Sequence, residues 1–177
     1  MAKLSMSELQ RLSVEEFSEI QKLPIVVVLD NIRSGLNVGS IFRTCDAFLI
    51  EKIILCGITA QPPHREIQKT ALGATETVKF EYFQSVKESI IKLKSEGFII
   101  LGVEQTTESV NLENFKWDKN KPIALIVGNE VDGISDEILN DVDAFIEIPQ
   151  FGTKHSLNVA VCTGIVLWEI LKAYKID

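Results

Sequence analysis

The chain has 177 residues, of which 46% are hydrophobic and 24% are charged, and its formal net charge is −7 at pH 7. A chain of this length and composition can form one domain with a sizeable core, and its acidic balance argues against a protein that coats itself in nucleic acid. The longest apolar tract, residues 157–168, is interrupted by Asn158 and Thr163 and is shorter than the ~20 residues of a membrane-spanning helix, so we expect no membrane segment.

The N-terminal half of the chain alternates short apolar runs with amphipathic segments. Ser13 and Glu16 have the spacing of a capping box, which predicts a short helix before the first strand. The uninterrupted apolar run at residues 25–29, mostly β-branched, is typical of a buried parallel strand. In chain order, this half is predicted to contain a short helix after Ser13, a strand at 25–29, a helix capped by Asn37 that continues to about Phe48, a strand at 52–56 and a short helix at 64–71.

The C-terminal half continues this alternation, with a long polar loop at residues 104–121 that we expect to be the most mobile segment. Its predicted elements are a strand at 77–80, an amphipathic helix at 85–95 ended by Gly97, strands at 98–103 and 123–127, a short helix at 136–139, a strand at 144–148 and a long helix at 156–174. Strands that alternate with helices predict an α/β fold, with an open, mostly parallel sheet covered by helices on both faces.

The three cysteines indicate an intracellular protein. Cys45, Cys56 and Cys162 are odd in number, far apart and embedded in apolar runs, so we expect reduced thiols that act as small hydrophobic side chains. No C-x-x-C pair is present, and we predict no metal site. The polar residues 1–10 lack the apolar segment of a signal peptide, so we expect a cytoplasmic location.

Charge is distributed unevenly along the chain. Acidic residues dominate residues 104–147, whereas residues 33–79 are nearly balanced and include Arg33, Arg43 and Arg65. This pattern is compatible with a local basic face on an acidic protein, and equally with an ordinary solvated surface.

Three clusters of small and polar residues indicate a ligand site. They are Asn-Val-Gly-Ser-Ile-Phe-Arg-Thr at residues 37–44, Val-Gly-Asn-Glu-Val-Asp-Gly at 127–133 and Ile-Pro-Gln-Phe-Gly-Thr-Lys-His-Ser-Leu-Asn-Val at 148–159. The second and third clusters follow apolar runs, and loops at the carboxyl ends of parallel strands form the ligand crevice of an open α/β sheet. Neither a G-x-G-x-x-G fingerprint nor a Gly-Lys-Ser/Thr phosphate loop is present, so these clusters do not predict a dinucleotide or P-loop site.

Together, the three clusters resemble the three motifs of the SpoU/TrmH-type RNA 2′-O-ribose methyltransferases of the SPOUT superfamily. The resemblance covers residues 25–171, nearly the whole chain, and three motifs in order are more specific than any one of them. Leu49 stands where the family often has glycine, and Gln150 where it often has methionine. The resemblance implies a short N-terminal helical extension at residues 1–23 and a SPOUT methyltransferase domain at residues 24–177, with a C-terminal trefoil knot and a homodimeric state.

The resemblance also implies the activity and its cofactor. The expected reaction is S-adenosylmethionine-dependent methylation of a ribose 2′-hydroxyl in RNA, with tRNA favoured over rRNA. The implied cofactor-binding residues are Val127, Gly128, Asn129, Ile148, Gln150, Ser156 and Leu157, and the implied catalytic residues are Arg43, Asn37, Glu130, Ser156 and Asn158. We expect these loops to converge on one pocket that holds the methyl donor beside Arg43.

The family assigns its central arginine, here Arg43, a role that is often that of the base. Because a guanidinium stays protonated, we favour the hypothesis that Arg43 clamps a phosphate or the ribose oxygen, with the base role as the alternative. Asn37 would orient Arg43 or the substrate, Glu130 and Asn158 would shape the site, and Ser156 would bind a phosphate or the cofactor.

Each of these residues also has a purely structural interpretation. Asn37 and Ser156 could be helix caps, Arg43 could pair with Asp46 or Asp30, Glu130 could bond amides of its own loop, Asn158 could be a buried amide in the first turn of the last helix, and Gly128, Gly133 and Gly152 could serve tight turns. Two other functions remain as hypotheses, namely a non-catalytic RNA-binding or ribosome-assembly factor and, much less favoured, a hydrolase built on Ser156.

Overall fold

The computed structural model describes residues 3–5, 8–9 and 11–175, and the strands in that part of the chain form one sheet. These strands are β1 (Leu23–Asp30), β2 (Ile50–Cys56), β3 (Lys79–Phe83), β4 (Ile99–Val103), β5 (Val110–Asn111), β6 (Ile123–Val127) and β7 (Ala144–Glu147). Their order is β3-β2-β1-β6-β4-β7-β5, and each neighbouring pair is parallel. The predicted parallel sheet is therefore confirmed.

Helices cover both faces of the sheet, as predicted. They are α1 (Val14–Glu19), α2 (Gly35–Ala47), α3 (Arg65–Ala71), α4 (Ala74–Thr77), α5 (Val86–Ser95) and α6 (Val159–Lys175). Because side chains alternate along a strand, Val27 and Leu125 pack into the core on the side of α2 and α6, whereas Val26 and Ala124 pack into the core on the side of α5. In the described part of the chain, none of these helices combines the length and the hydropathy needed to cross a bilayer.

The helix termini show where local sequence signals were correctly interpreted and where they were not. Ser13 and Glu16 form the predicted capping box of α1, and Gly97, with a φ of +85°, follows the end of α5. The predicted cap of α2 is wrong, because Ser34 rather than Asn37 is the N-cap and the helix begins at Gly35. The Ser34 hydroxyl lies three residues before the Asn37 amide and accepts its N–H at 3.3 Å, which is the N-cap geometry.

Other predicted boundaries also differ from the structure. Residues 74–77 form α4, so β3 begins at Lys79 rather than at residue 77. The segment Asp136–Asp141 is a 3-10 helix, and the polar loop at residues 104–121 contains β5 and a second 3-10 turn, Leu112–Asn114. Helix α6 begins at Val159, three residues later than predicted. The C-terminal knot stays a prediction.

Leu49 occupies a backbone conformation that favours glycine. Its φ is +56°, directly after the C-cap of α2 at Phe48. A residue with a left-handed conformation at this position ends many helices, and glycine adopts it without steric cost. The departure from the family pattern at residue 49 is therefore accommodated by strain at a helix end, away from the polar clusters.

Candidate functional site

A cavity of about 460 Å³ lies at the carboxyl ends of β4, β6 and β7. Four segments line it, namely the end of β4, the loop after β6, the loop after β7 and the start of α6. All seven predicted cofactor-binding residues line this cavity: Val127, Gly128, Asn129, Ile148, Gln150, Ser156 and Leu157. The second and third polar clusters of the sequence therefore converge at one edge of the sheet, although the role of each residue stays a prediction.

The loop after β6 is held in a tight, closed form by its own backbone. The Asn129 N–H donates to the Gly133 carbonyl at 2.9 Å, and the Gly133 N–H donates back to the Asn129 carbonyl at 3.0 Å. The Asn129 side chain accepts the N–H groups of Val131 and Asp132 at 2.8 and 3.2 Å, and donates to the carbonyl of Asn31 at 2.8 Å. One side chain thus closes the loop and ties it to the end of β1.

Two glycines of this loop are required, Gly128 by close backbone contacts and Gly133 by its left-handed backbone conformation. A Cβ at Gly128 would lie 2.2 Å from the carbonyl carbon of Gly133, and a Cβ at Gly133, whose φ is +74°, would lie 2.2 Å from a carboxylate oxygen of Glu104. A Cβ at Gly152 would meet no atom within 4 Å. The predicted structural need for glycine therefore applies at residues 128 and 133 but not at residue 152.

Glu130 connects the loop after β6 to the start of α2. Its carboxylate accepts the backbone N–H groups of Arg33 and Ser34 at 3.0 and 3.3 Å, and the side-chain amide of Asn37 at 3.0 Å. Asn37 in turn accepts a hydrogen bond from the Asn158 amide at 3.1 Å. The chain Glu130–Asn37–Asn158 therefore joins residues from all three polar clusters, which sequence spacing alone could not establish.

These contacts also fix the charge state of Glu130. Partial burial would by itself raise the pKa of this carboxyl, but the hydrogen bonds from Arg33 N–H, Asn37 and Ser34 N–H outweigh it and lower the pKa. Glu130 is consequently an anion at neutral pH. The amides that it bonds belong to the loop before α2, so the hypothesis that it bonds only its own loop is too narrow.

Asn158, rather than Ser156, caps α6. The Asn158 side-chain oxygen accepts the N–H groups of Ala160 and Val161 at 3.0 and 3.3 Å. The predicted Ser156 cap and the predicted placement of Asn158 within the first turn are therefore both wrong. Ser156 instead lines the cavity with an exposed side chain. Within the described residues, no hydrogen bond joins Ser156 to a histidine, so a hydrolase built on this serine has no structural support.

Asp30 is a buried carboxylate that sequence analysis considered only as an ion-pair partner for Arg43. Its side chain is 0% exposed, and it accepts hydrogen bonds from the Ser135 N–H at 2.8 Å, the Ser135 hydroxyl at 3.0 Å and the Asn31 amide at 2.8 Å. It thereby fixes the far end of the loop after β6 to the end of β1. The sequence signal that could have identified Asp30 is its position at the end of a run of buried aliphatic residues.

Arg43 does not line the cavity of this chain. It lies on an exposed surface of α2, and in the described part of the chain it makes no salt bridge. Asp46 instead accepts the Thr77 hydroxyl at 2.6 Å. Arg43 lies six positions after Asn37 in the helix, which places their Cα atoms about 9 Å apart along the axis and about 120° apart around it. The predicted single pocket beside Arg43 is therefore not formed within one chain.

Several cavity residues were missed because they follow β4 or lie beside the motif residues. Glu104 and Gln105 come directly after β4, and Glu104 accepts the Ile134 N–H at 3.2 Å. The rule that ligand loops follow the carboxyl ends of parallel strands, which located the other loops, could have found both.

Cys162 also lines the cavity, and its burial, together with the charge of Glu104, raises its pKa to about 11. All three cysteines are free thiols, and Cys45 and Cys56 are buried, as predicted.

Comparison with known sequences identifies the relatives of this chain. The model of the SpoU rRNA Methylase family matches residues 24–168. The chain is 35% identical to the tRNA (guanosine(18)-2′-O)-methyltransferase of Aquifex aeolicus, over 88% of this chain and 72% of that protein. It is 31% identical to a 23S rRNA (guanosine-2′-O-)-methyltransferase of Neisseria meningitidis serogroup B, over 82% of this chain and 57% of that protein.

Comparison with solved structures agrees with these sequence matches. The TrmH/SpoU tRNA modifying enzyme of A. aeolicus superimposes with a TM-score of 0.79 at 31% identity, over 90% of this chain and 79% of that one. An AdoMet-bound rRNA methyltransferase from Sinorhizobium meliloti superimposes with a TM-score of 0.80 at 29% identity, over 91% of this chain and 61% of that one. The seven-stranded sheet and its helices therefore have close counterparts among SpoU-type structures.

Proposed function

Because this chain belongs to the SpoU rRNA Methylase family, we propose that it transfers a methyl group from S-adenosylmethionine to the 2′-hydroxyl of a ribose in RNA. The observation that carries the proposal is that the second and third polar clusters line one cavity and that the Glu130–Asn37–Asn158 hydrogen bonds tie the first cluster to them. The named relatives act on tRNA and on 23S rRNA, and among these we favour tRNA as the substrate.

The cavity fits S-adenosylmethionine in size and in charge. Its volume of about 460 Å³ lies within the roughly 300–1,000 Å³ of small-molecule sites. Val127, Ile148 and Leu157 offer apolar walls for a purine ring. The lining includes the carboxylates of Glu104, Glu130 and Glu147, and among the described lining residues there is no lysine or arginine. This balance suits a ligand whose sulfonium and ammonium groups make it cationic.

We infer that Val127, Gly128, Asn129, Ile148, Gln150, Ser156 and Leu157 hold the cofactor, which supplies an electrophilic methyl group when bound. The AdoMet-bound relative from S. meliloti supports this assignment at the level of the fold. Glu104 bonds the Ile134 N–H and so keeps the loop after β6 closed against the cavity. Together with the paired bonds between Asn129 and Gly133, this contact holds the loop in one closed form beside the cavity.

The catalytic work left to the protein is positioning and charge stabilisation. A ribose hydroxyl is a weak nucleophile that loses its proton as it attacks. Arg43 remains protonated, so we infer that it clamps a phosphate or the ribose oxygen while a phosphate assists proton removal. Because Asn37 bonds Glu130 and Asn158 and points away from Arg43, its role narrows to orienting the substrate. Glu130 and Asn158 shape the site, and Ser156 binds a phosphate or the cofactor.

A homodimer would bring Arg43 to a cavity, because a second copy can supply what the single chain lacks. Helix α6 exposes Val161, Ile165 and Trp168, with 53%, 37% and 47% of each side chain accessible. These three residues, the α6 stripe, recur at helical spacing on one face. Trp168 also contacts Phe48 at the end of α2, with ring centroids 6.0 Å apart. The stripe thus borders the helix that carries Arg43, and we propose that it is the dimer interface.

The proposed domain organisation follows the same relatives. We propose that residues 24–177 form the methyltransferase domain and that residues 1–23 form a short helical extension; residues 1–2, 6–7, 10 and 176–177 of these ranges lie outside the described residues. The start of the family match at residue 24 supports this boundary. The extension is anchored, since Phe17 of α1 is buried in the core and α1 packs against α4.

Calorimetric titration with S-adenosylmethionine, followed by mapping of 2′-O-methyl groups on total tRNA and rRNA, tests the proposal. We expect saturable binding and transfer to one ribose position that depends on the protein. Binding of RNA without binding of S-adenosylmethionine would instead favour the non-catalytic RNA-binding hypothesis. Arg43→Lys keeps the charge but loses the planar fork, so its activity should collapse, and near-normal turnover would defeat the role of Arg43.

Mixing two impaired variants tests whether Arg43 acts across a dimer. Arg43→Ala removes the guanidinium, and Gly128→Ala weakens the cavity; S-adenosylmethionine is kept well below the raised Kd of Gly128→Ala, so that the cavity of this variant stays nearly empty. If Arg43 serves the cavity of the other copy, random re-association of the two variants restores about a quarter of the wild-type sites, as expected for a two-fold dimer. If Arg43 serves its own chain, every mixed site keeps one defect and activity stays absent.

A further inference from the structure

We propose that Phe151 stacks on an unpaired base of the RNA substrate, next to the ribose that is methylated; this inference rests on the proposed function. The Phe151 side chain is 97% exposed, the largest exposed fraction among the large hydrophobic side chains of the described residues. An aromatic ring of this size gains substantially from contact with another ring. Because the ring is exposed to water in the single chain, we infer that its partner lies outside that chain.

The position of Phe151 points to the substrate. It lies in the loop between β7 and α6, one residue after Gln150 and five before Ser156, both of which line the cavity. A ligand that places a ribose at the mouth of this cavity must pass this loop. The ring is therefore within the reach of a nucleotide at or beside the reacting position.

The chemistry around Phe151 favours a nucleic acid over a protein surface. Its neighbours Gly152, Thr153, Lys154 and His155 are all exposed, so the ring stands among polar and cationic groups. Single-stranded RNA is recognised by this combination, in which bases stack on an aromatic ring while a nearby cation attracts the phosphates. Protein interfaces are instead depleted of lysine and have apolar cores, as the α6 stripe has.

The size of the expected effect follows from base stacking. When an aromatic side chain that stacks on a base is removed, the affinity for the nucleic acid falls roughly 5- to 150-fold. The cofactor makes no use of this ring, because Phe151 is not among the residues that line the cavity. Removal of the ring should therefore raise the KM for RNA and leave the affinity for S-adenosylmethionine unchanged.

Methylation kinetics with an unmodified tRNA transcript that the wild-type protein methylates provide the test. Phe151→Ala and Phe151→Leu should raise the KM for RNA roughly 5- to 150-fold, whereas Phe151→Trp should restore it to near the wild-type value, because a ring is needed rather than apolar bulk. Ile91→Ala is the matched control. Its side chain is 64% exposed on α5, which packs against the opposite face of the sheet from α6, and its KM should not change.

Three outcomes would overturn the inference. One is an unchanged KM in Phe151→Ala, and another is full recovery in Phe151→Leu, which would show that only apolar contact matters. The third is a Phe151→Ala protein whose mass in solution falls from dimer to monomer, which would assign the ring to a protein interface. Failure of the proposed function differs from all three, since the wild-type protein itself would then not bind S-adenosylmethionine or methylate the transcript.

Discussion

Replacing Gly128 with alanine should open the loop after β6 and weaken cofactor binding. The added Cβ would lie 2.2 Å from the carbonyl carbon of Gly133, 2.3 Å from the Ile134 nitrogen and 2.4 Å from the Gly133 oxygen. Each of these atoms is backbone, so no side chain can rotate away. To reach an ordinary contact of 3.4 Å, the two segments must separate by about 1.2 Å.

A displacement of this size costs stability in two ways. Overpacking of a well-filled site costs about 1–3 kcal/mol. The paired hydrogen bonds between Asn129 and Gly133, at 2.9 and 3.0 Å, would also lengthen toward breaking, and each contributes about 0.5–1.5 kcal/mol. We therefore expect Gly128→Ala to lower the free energy of unfolding by about 2–4 kcal/mol, which for a chain of this length lowers Tm by about 5–15 °C.

The loop also lines the cavity, so the loss should extend to the ligand. We expect the Kd for S-adenosylmethionine to rise at least about tenfold, since a displacement near 1 Å in a preorganised site costs on the order of 1.4 kcal/mol or more. Differential scanning calorimetry measures the first effect and isothermal titration measures the second. Wild-type values of both Tm and Kd in Gly128→Ala would refute the steric argument.

Gly152→Ala is the matched control for this experiment. A Cβ at residue 152 meets nothing within 4 Å, and its φ lies outside the left-handed region. Tm should stay the same or rise slightly, because alanine lowers the conformational entropy of the unfolded chain and so raises the free energy of unfolding by about 0.4–1 kcal/mol. The Kd for S-adenosylmethionine should not change. A loss in this variant comparable to that of Gly128→Ala would show that both effects report general loop sensitivity.

Three further predictions follow from buried and bonded groups. Asp30→Ala leaves the Ser135 N–H and hydroxyl without their acceptor, so urea unfolding should show a loss of about 2–4 kcal/mol, and an unchanged midpoint would contradict the role of Asp30. Because the pKa of Glu130 is lowered in the folded chain, its contribution to stability is present above the ordinary carboxyl pKa and is lost as pH falls through the lowered value. The Tm difference between wild type and Glu130→Gln should therefore be present at pH 7 and shrink as pH falls below the ordinary carboxyl pKa, and a pH-independent difference would oppose this. The pKa of Cys162 is raised from 9.0 to about 11, so at pH 8 this side chain carries roughly a hundredfold less thiolate than an ordinary thiol. Iodoacetamide should therefore alkylate Cys162 about a hundredfold more slowly in the folded protein than in the urea-unfolded protein. Equal alkylation rates in the two states would exclude the pKa shift.

The fold was predictable because its strongest signals are local. Apolar runs such as residues 25–29 and 123–127 are long enough to define buried strands. The first run lies in β1 and the second forms β6. Helix starts were less secure, because a cap depends on which of several polar residues reaches the free N–H groups. Ser34 does so in place of Asn37, and Asn158 does so in place of Ser156.

The cavity walls were predictable for a different reason. Residues such as Gly128 and Leu157 belong to motifs whose order and spacing are specific, and these residues do line the cavity. The sequence could have located Asp30 and Glu104 from their positions at the ends of β1 and β4, but it could not give their roles, because their partners are distant in sequence. Asp30 bonds Ser135, and Glu104 bonds Ile134, each across the end of the sheet. Such pairings depend on which strands become neighbours, and no local pattern encodes that.

Arg43 shows the limit of a motif as a guide to geometry. The motif places Asn37 and Arg43 in one short segment, but a helix turns through about 100° for each residue, so the segment presents its two polar side chains in different directions. Asn37 bonds Glu130 and Asn158 at the cavity, whereas Arg43 is exposed. Besides Arg43, the apolar α6 stripe is also exposed to solvent on the same chain. One two-fold pairing along α6 would bury that stripe and bring each Arg43 toward the other copy, so a single interaction can account for both features.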